Sequence, residues 1–371
     1  MKKNVVLSLI LLLLLMINSS IVEAKNNEKN DVKNTIIVSK NDKDADKYEA
    51  DKLLFMQAKD DNTTLLFSDS PETVKSDGIL YQDIVRGDTR LLYYHLNDMN
   101  DNKKLAVVIE NMSSQYNRVS LTKEAVAGPS ADYLYVGKVT MERYFDSHEQ
   151  KEITLAPYSK TFLRMDDNER IIPHGGLVYG IFDFNAQYDL KVSVVMASVS
   201  KNLLRYVDYA PVLPKDEQRL RGTYVGKERH LTNMLPYNPE KMGKAYFYIG
   251  DNKTDLYKYG IDQTDNSTTL DFGNYGIVYN IEPKFSGKGK VGVYLKPLGG
   301  VYAGAVAVKA GKNNDEYKMI STPDAVPFFG HEADFNYYAY LGTYDINQPL
   351  SILYTPPGAS NLPVEMIFIP E

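Results

Sequence analysis

Between Leu270 and Pro297 the chain alternates apolar and polar positions with a period of two on both sides of a glycine-rich turn. Ile277, Tyr279 and Ile281 fall on one side of an extended backbone; past Ser286-Gly287-Lys288-Gly289 the pattern resumes with Val291, Val293 and Leu295. Such a pattern predicts an antiparallel hairpin with one buried face. From Leu53 onward the same kind of run recurs: LLFMQ, TTLLFSD, GILYQDIV, TRLLYYHL, KLAVVIENM, KEITLAPYSKTFLRM, GGLVYGIFDF and LKVSVVMASVS. Each is bounded by Asp, Asn, Gly or Pro, so strand follows turn without the long helical crossovers that parallel α/β units need. One short helix is expected through roughly Gly137–Phe145, capped by Asp132, with Val136, Val139, Tyr144 and Phe145 as its apolar stripe. Pro211-Val212-Leu213-Pro214, followed by charged KDEQR, reads as a linker with a domain boundary near Lys215. The expected fold class is all-β, with two tandem antiparallel β-sandwich domains at residues 53–215 and 216–371.

The N-terminus changes the picture. Lys2 and Lys3 precede an apolar stretch, Val5–Ile17, and Val22-Glu23-Ala24 offers a small-x-small cleavage pattern. That is the layout of a secretory signal peptide over residues 1–24; the apolar run is shorter than the roughly 20 residues a bilayer core requires. Residues 25–52, dominated by Lys, Asp, Asn and Glu around the small island Ile36-Ile37-Val38, read as a flexible charged leader. No other apolar run reaches spanning length, so the mature chain is expected to stay out of the membrane, secreted or held at the cell envelope.

Composition narrows the function classes. Cysteine is absent, which removes disulfides, thiolate metal sites and thiol nucleophiles. The formal charge is −6, and taking away two lysines and one glutamate with residues 1–24 turns it into −7. A mildly acidic chain is not built for phosphate backbones, so nucleic acid is not an expected partner. The 29 tyrosines suit strands, and they also supply rings for ligand stacking.

Candidate chemistry is sparse. His95, His148, His174, His230 and His331 show no metal-ligand spacing, and no metal site or cofactor is expected from them. Asp42-x-Asp44-x-Asp46 and Asp98-x-Asn100-x-Asn102 imitate the start of a calcium loop, but Lys47 and Lys103 occupy the glycine slot. Structural calcium is therefore not supported by a complete motif. Pro173-His174-Gly175-Gly176 has the look of an oxyanion loop, yet Gly128-Pro129-Ser130-Ala131-Asp132 lacks the closing glycine of a nucleophile elbow. Ser286–Lys290 precedes a strand, not the helix a phosphate loop opens. No catalytic residue is nominated. The densest aromatic group is FNYYAYLGTY, in which Tyr338, Tyr340 and Tyr344 share strand parity and are the candidate ligand-stacking residues. Core packing is the alternative use of the same rings.

Several phrases together, SDSPETVKSDGILYQD, GDTRLLYYHLN, AGPSADYLYVGKV, RGTYVGKERHL, GNYGIVYNI and NLPVEMIFIP, carry a resemblance from about Leu65 to the end. The chain resembles the C-terminal region of secreted proteins of Gram-positive spore-formers labelled "copper amine oxidase N-terminal (stalk) domain-containing". The stalk module itself has no counterpart here. An oxidase would need an H-x-H copper pair and an Asn-Tyr-Asp/Glu cofactor tyrosine, from which Asn274-Tyr275-Gly276 and Asn336-Tyr337-Tyr338 both depart. The resemblance implies an exported, envelope-associated protein of unassigned function, and these departures leave no amine oxidase activity expected.

The expected function is non-catalytic binding at the cell surface, with a cell-wall glycan or a surface protein as partner. The alternatives are a secreted hydrolase acting on envelope polysaccharide and a structural surface-layer component. The sequence leaves the oligomeric state open.

Overall fold

The computed structural model describes residues 37–38 and 51–371, apart from residues 149, 313–315 and 331–336; for Ile37, Val38 and Tyr337 it describes the backbone alone. The expected signal peptide and nearly all of the charged leader, Asp42-x-Asp44-x-Asp46 included, lie outside the described residues, as does His331. All described residues belong to one compact unit.

The all-β expectation holds: three mixed sheets and a few short helices account for the architecture. The largest sheet is built on two very long strands, Gly78–Asn97 and Leu177–Ser198, which pair antiparallel along almost their whole length. Each merges two runs that the turn residues divide in the sequence. Gly87 at φ 78° and a register shift between Ala186 and Leu190 absorb the interruption as a bulge instead of a turn. On its other edge Leu177–Ser198 pairs with Asn117–Ser130 along its first half and with Lys103–Asn111 along its second. The sheet thereby curls around a core of its own that includes Tyr81, Leu91, Tyr93, Val107, Ile109, Phe182 and Phe184.

The other two sheets face each other as a sandwich. One carries the strands Lys290–Pro297, Val364–Pro370, Ala245–Ile249 and Tyr337–Asp345; the other carries Val278–Ile281, Leu350–Tyr354, Gly304–Ala310 and Glu228–Asn233. Val291, Val293, Leu295, Met366 and Phe368 from the first meet Ile277, Tyr279, Ile281, Val306 and Ile352 from the second in one apolar core.

Two tandem sandwiches divided at Lys215 are not what the pairing makes. Met56–Asp60, from the expected first domain, pairs with Glu228–Asn233 of the sandwich, and Lys52–Leu53 pairs with Ala245–Ile249. In the other direction, Arg221–Val225 pairs with Thr64–Ser68 and extends the large sheet. The supposed linker is packed: Ile79 and residues 211–213 exchange backbone hydrogen bonds of 2.8 Å, and Leu213 is buried. Parallel pairings, Thr64–Ser68 with Gly78–Asn97 among them, break the expected antiparallel pattern.

The hairpin expected between Ile277–Ile281 and Val291–Leu295 is also absent. Val278–Ile281 pairs with Glu228–Asn233 and Leu350–Tyr354, whereas Lys290–Pro297 pairs with Tyr337–Asp345 and Val364–Pro370. The glycine-rich segment 282–289 is an arch from one sheet of the sandwich to the other. Alternation reports one buried face per strand; it does not name the strand's partner.

The helix forms as expected, over Tyr133–Asp146, with the Asp132 carboxylate accepting from the Tyr135 N–H at 3.0 Å. Val136, Met141, Tyr144 and Phe145 join the shared core. The helix approaches residues 357–360 so closely that a Cβ on Gly137 would lie 2.0 Å from the Gly358 carbonyl oxygen.

Candidate functional site

The predicted tyrosines divide into two groups. Tyr338 and Tyr340 stand on the outer face of the Tyr337–Asp345 sheet, against Tyr294, with ring centroids 6.4 and 5.3 Å away. Tyr344 does not join them. A register shift between Val293 and Tyr294, opposite Gly342 at φ 127°, reverses the parity of the strand. Tyr344 thus sits opposite Val291 on the core side, donating its hydroxyl to the Leu341 carbonyl at 2.6 Å.

The register places more rings on that outer face than the sequence run contained. Tyr246 lies opposite Ile367, Ile367 opposite Tyr294, and Tyr294 opposite Tyr340, one row across four strands. Tyr248 stacks edge-on to Tyr246 at 5.3 Å. Charged groups frame the rings: the Lys296 and Lys244 ammonium groups lie 5.2 and 5.7 Å from the Tyr338 ring centre. Glu365 lies opposite Lys296 and Tyr248. Burial raises the Glu365 carboxyl, partly offset by Lys296 and Lys244.

A second arrangement escaped sequence reasoning. A cavity of about 270 Å³ opens where the large sheet meets the sandwich, lined among others by Asp69, Glu72, Tyr94, Tyr179, Tyr275 and Asn361. The turn that carries the two acids is held on several sides. Asp216 accepts from the Ser70 hydroxyl and the Glu72 N–H at 2.8 Å each, and Arg221 donates to the Ser70 carbonyl at 3.1 Å. His95 Nδ1 lies 2.9 Å from the Pro71 carbonyl and Nε2 lies 2.9 Å from the Ser68 hydroxyl. Since a carbonyl only accepts, Nδ1 carries the proton. Burial pushes His95 down to about 4, so the ring is neutral at ordinary pH.

The electrostatics of this cavity are one-sided. Among the described residues no Lys, Arg or His lines it. Burial, and then the charges of Glu72, Asp216 and Asp271, hold the Asp69 carboxyl well above the usual range. Burial followed by Asp216 raises Glu72 as well. Asp69 Oδ1 and the Tyr179 hydroxyl, both shut off from solvent, have no hydrogen-bond partner among the described residues. Tyr179 is 1% exposed and packs edge-on to Tyr94 at 5.5 Å. The opposite wall is fixed by Tyr275, which donates to the Ser360 carbonyl at 2.6 Å.

The remaining motifs resolve into structure. Residues 98–102 connect two strands of the large sheet, with Lys103 paired to Asp77 and Asp101 at 2.8 and 2.9 Å. Gly176 N–H donates back to the Pro173 carbonyl, closing a turn, and Gly128-Pro129-Ser130 ends a strand. Among the described residues no group of three or more His, Asp or Glu side chains is placed to hold a metal ion. No described helix is long and apolar enough to cross a membrane.

No family model matches the chain, and no curated protein does. Among solved structures, a Paenibacillus xanthan lyase aligns over 79% of this chain and 26% of its own length, at 10% identity and a TM-score of 0.18. The chain thus spans about a quarter of that protein, and a likeness at this level supports neither a fold family nor an activity.

Proposed function

We propose that this chain is an exported, non-catalytic glycan-binding protein of the cell envelope, with the outer tyrosine face of the sandwich as its recognition surface. The observation that carries the reading is the set of half-buried rings Tyr246, Tyr248, Tyr338 and Tyr340 on one sheet face, laid over the buried Ile367 and Tyr294. Rings fixed on a sheet lose little conformational freedom on binding and present broad apolar faces with polar edges, which suits the faces of sugar rings. Lys244, Lys296 and Glu365 at the margin supply hydrogen bonds to a polyhydroxylated chain.

The test is co-sedimentation of the mature chain with purified cell walls across a salt series, with wall polymers intact and stripped. Replacing Tyr338 and Tyr340 together by Ala should abolish pelleting and leave the melting temperature within about 2 °C of the parent. Undiminished pelleting of that double variant would overturn the reading.

One observation favours a second reading, a hydrolase acting on envelope polysaccharide: Asp69 and Glu72 enter a single cavity. Glycoside cleavage uses two carboxyl groups, one of them kept protonated by its surroundings. Prolonged incubation with purified wall polysaccharide followed by a reducing-end assay decides it, because a binder releases none.

A further inference from the structure

We infer that the cavity between the large sheet and the sandwich is a second ligand site that takes one uncharged sugar ring. The inference rests on the glycan reading for the source of the ligand, but its geometry is independent: the cavity shares no residue with the tyrosine face.

The size fits one ring. About 270 Å³ lies just below the roughly 300–1,000 Å³ typical of small-molecule sites, too little for a disaccharide to enter whole. The walls are amphipathic in the way a sugar is. Phe67, Leu92 and the Tyr94 and Tyr179 rings offer apolar surface, while Asp69, Asn361 and the tyrosine hydroxyls offer donors and acceptors.

Two of the lining residues also carry buried groups without partners, Asp69 Oδ1 and the Tyr179 hydroxyl, both closed off from solvent. Buried polar atoms are nearly always hydrogen-bonded, since leaving one unmatched costs about 1–3 kcal/mol. Here Asp69 sits on a turn clamped by Asp216, Arg221 and His95, Tyr179 sits on the long strand Leu177–Ser198, and both residues line one cavity. A ligand hydroxyl both donates and accepts, so it can satisfy either group once entry of the ring moves the side chains that cover it.

Charge selects the class. An anionic sugar would enter beside Asp69 and Glu72 with no Lys, Arg or His among the described residues of the lining to neutralise it. A cationic one would require an ionised Asp69 among Phe67, Leu92 and Leu220, an expensive desolvation. The uncharged ring meets neither cost.

Isothermal titration of the full mature chain with methyl glycosides of neutral hexoses and N-acetylhexosamines, beside the matching hexuronic acids and hexosamines, tests this. We expect millimolar or tighter binding of at least one neutral glycoside, with the acid at least tenfold weaker and the amine no tighter. Tyr179→Phe, which removes one hydroxyl, should weaken binding about five- to tenfold. Asp69→Asn keeps a donor and an acceptor on the same skeleton and should stay within about threefold, whereas Asp69→Leu should lose at least about tenfold. The Tyr338/Tyr340 double alanine variant should bind the monosaccharide normally while losing wall retention. Failure of every neutral glycoside, tighter binding of the amine, or parental affinity in both Tyr179→Phe and Asp69→Leu would overturn the site. Monosaccharide binding without tyrosine-dependent wall retention would sustain the cavity and remove the tyrosine face.

Discussion

Asp183→Asn is the substitution that tests most directly how this fold tolerates charge in its interior. Asp183 lies directly across the central strand pair from Arg90, which is 1% exposed. Arg90 Nε donates to one Asp183 oxygen at 2.6 Å and an Nη to the other at 2.7 Å. The rest of the guanidinium is spent on the Lys227 and Gly276 carbonyls and the Tyr144 hydroxyl, and Tyr144 in turn donates to Asp183. Burial alone would raise the Asp183 carboxyl; Arg90, then Lys227 and Tyr144, hold it at about 2. Against about 3.9 in an unfolded chain, that difference is worth about 2–3 kcal/mol. The group's folded value is depressed, so this stability is present above pH 4 and is lost as pH falls from about 4 to 2. The amide should cost at least as much as protonation does. Its NH2 would point a donor at a guanidinium and leave buried Arg90 with only the more distant Glu228 at 3.8 Å and Lys227 with Asp88 at 3.1 Å, a loss of about 3 kcal/mol. For a chain of this size that is about 4 °C in melting temperature. Urea unfolding at pH 7 and pH 3 gives both numbers. Arg90→Met with Asp183→Leu should recover most of the loss, because apolar side chains of similar volume often replace a buried pair at little cost. A loss under about 1 kcal/mol in Asp183→Asn, or a double variant no more stable than the single, would refute this account.

Other perturbations follow from single contacts. Gly137→Ala should destabilise by about 1–3 kcal/mol in a thermal melt, because its Cβ would meet the Gly358 carbonyl oxygen at 2.0 Å and the helix must move away. Tyr344→Ala should cost about 2–3 kcal/mol by urea unfolding, since Tyr344 packs against the sandwich core, and should leave wall retention intact. Asp69→Asn should raise the melting temperature at pH 7. Burial makes the Asp69 carboxyl harder to ionise in the folded chain than in the unfolded one, so it opposes folding at neutral pH and ceases to do so near pH 4; melts should differ from the parent at pH 7 and coincide at pH 4.

Much of the fold was legible where the signal is local. The Asp132 cap and the alternation in Val291–Leu295 and Ile277–Ile281 depend on a few neighbouring residues, and both were read correctly as a helix start and as buried strand faces. What failed was partnership. Glycine and a charged turn separate GILYQDIV from TRLLYYHL, yet Gly87 makes a bulge because Leu177–Ser198 supplies a partner on both sides of it. Ser286–Gly289 turns the chain between sheets because each flanking strand finds two other neighbours. Pro211–Pro214 looked like a linker because proline and valine carry no sign of what covers them; Ile79 does.

The candidate sites divide along the same line. Tyr338 and Tyr340 could be picked out because two rings at alternate positions of one strand share a face. Tyr344 was assigned to that face by counting in twos, and one bulge at Gly342 makes the count fail. Tyr246, Tyr248 and Tyr294 reach the same face through strand register, which no spacing within their own strands encodes. The acidic cavity is further from view. Asp69 and Glu72 leave the end of Thr64–Ser68, Tyr94 and Tyr179 come from the two long strands, and Tyr275 and Asn361 come from separate loops of the second half. Its one local trace is Ser68-Asp69-Ser70-Pro71-Glu72, two acids flanking a proline turn between apolar runs, which reads as a solvated connection. Contacts from distant positions, Asp216 lying 144 residues beyond Glu72 and Arg221 and His95 beside it, hold that connection where its carboxyl groups line a cavity.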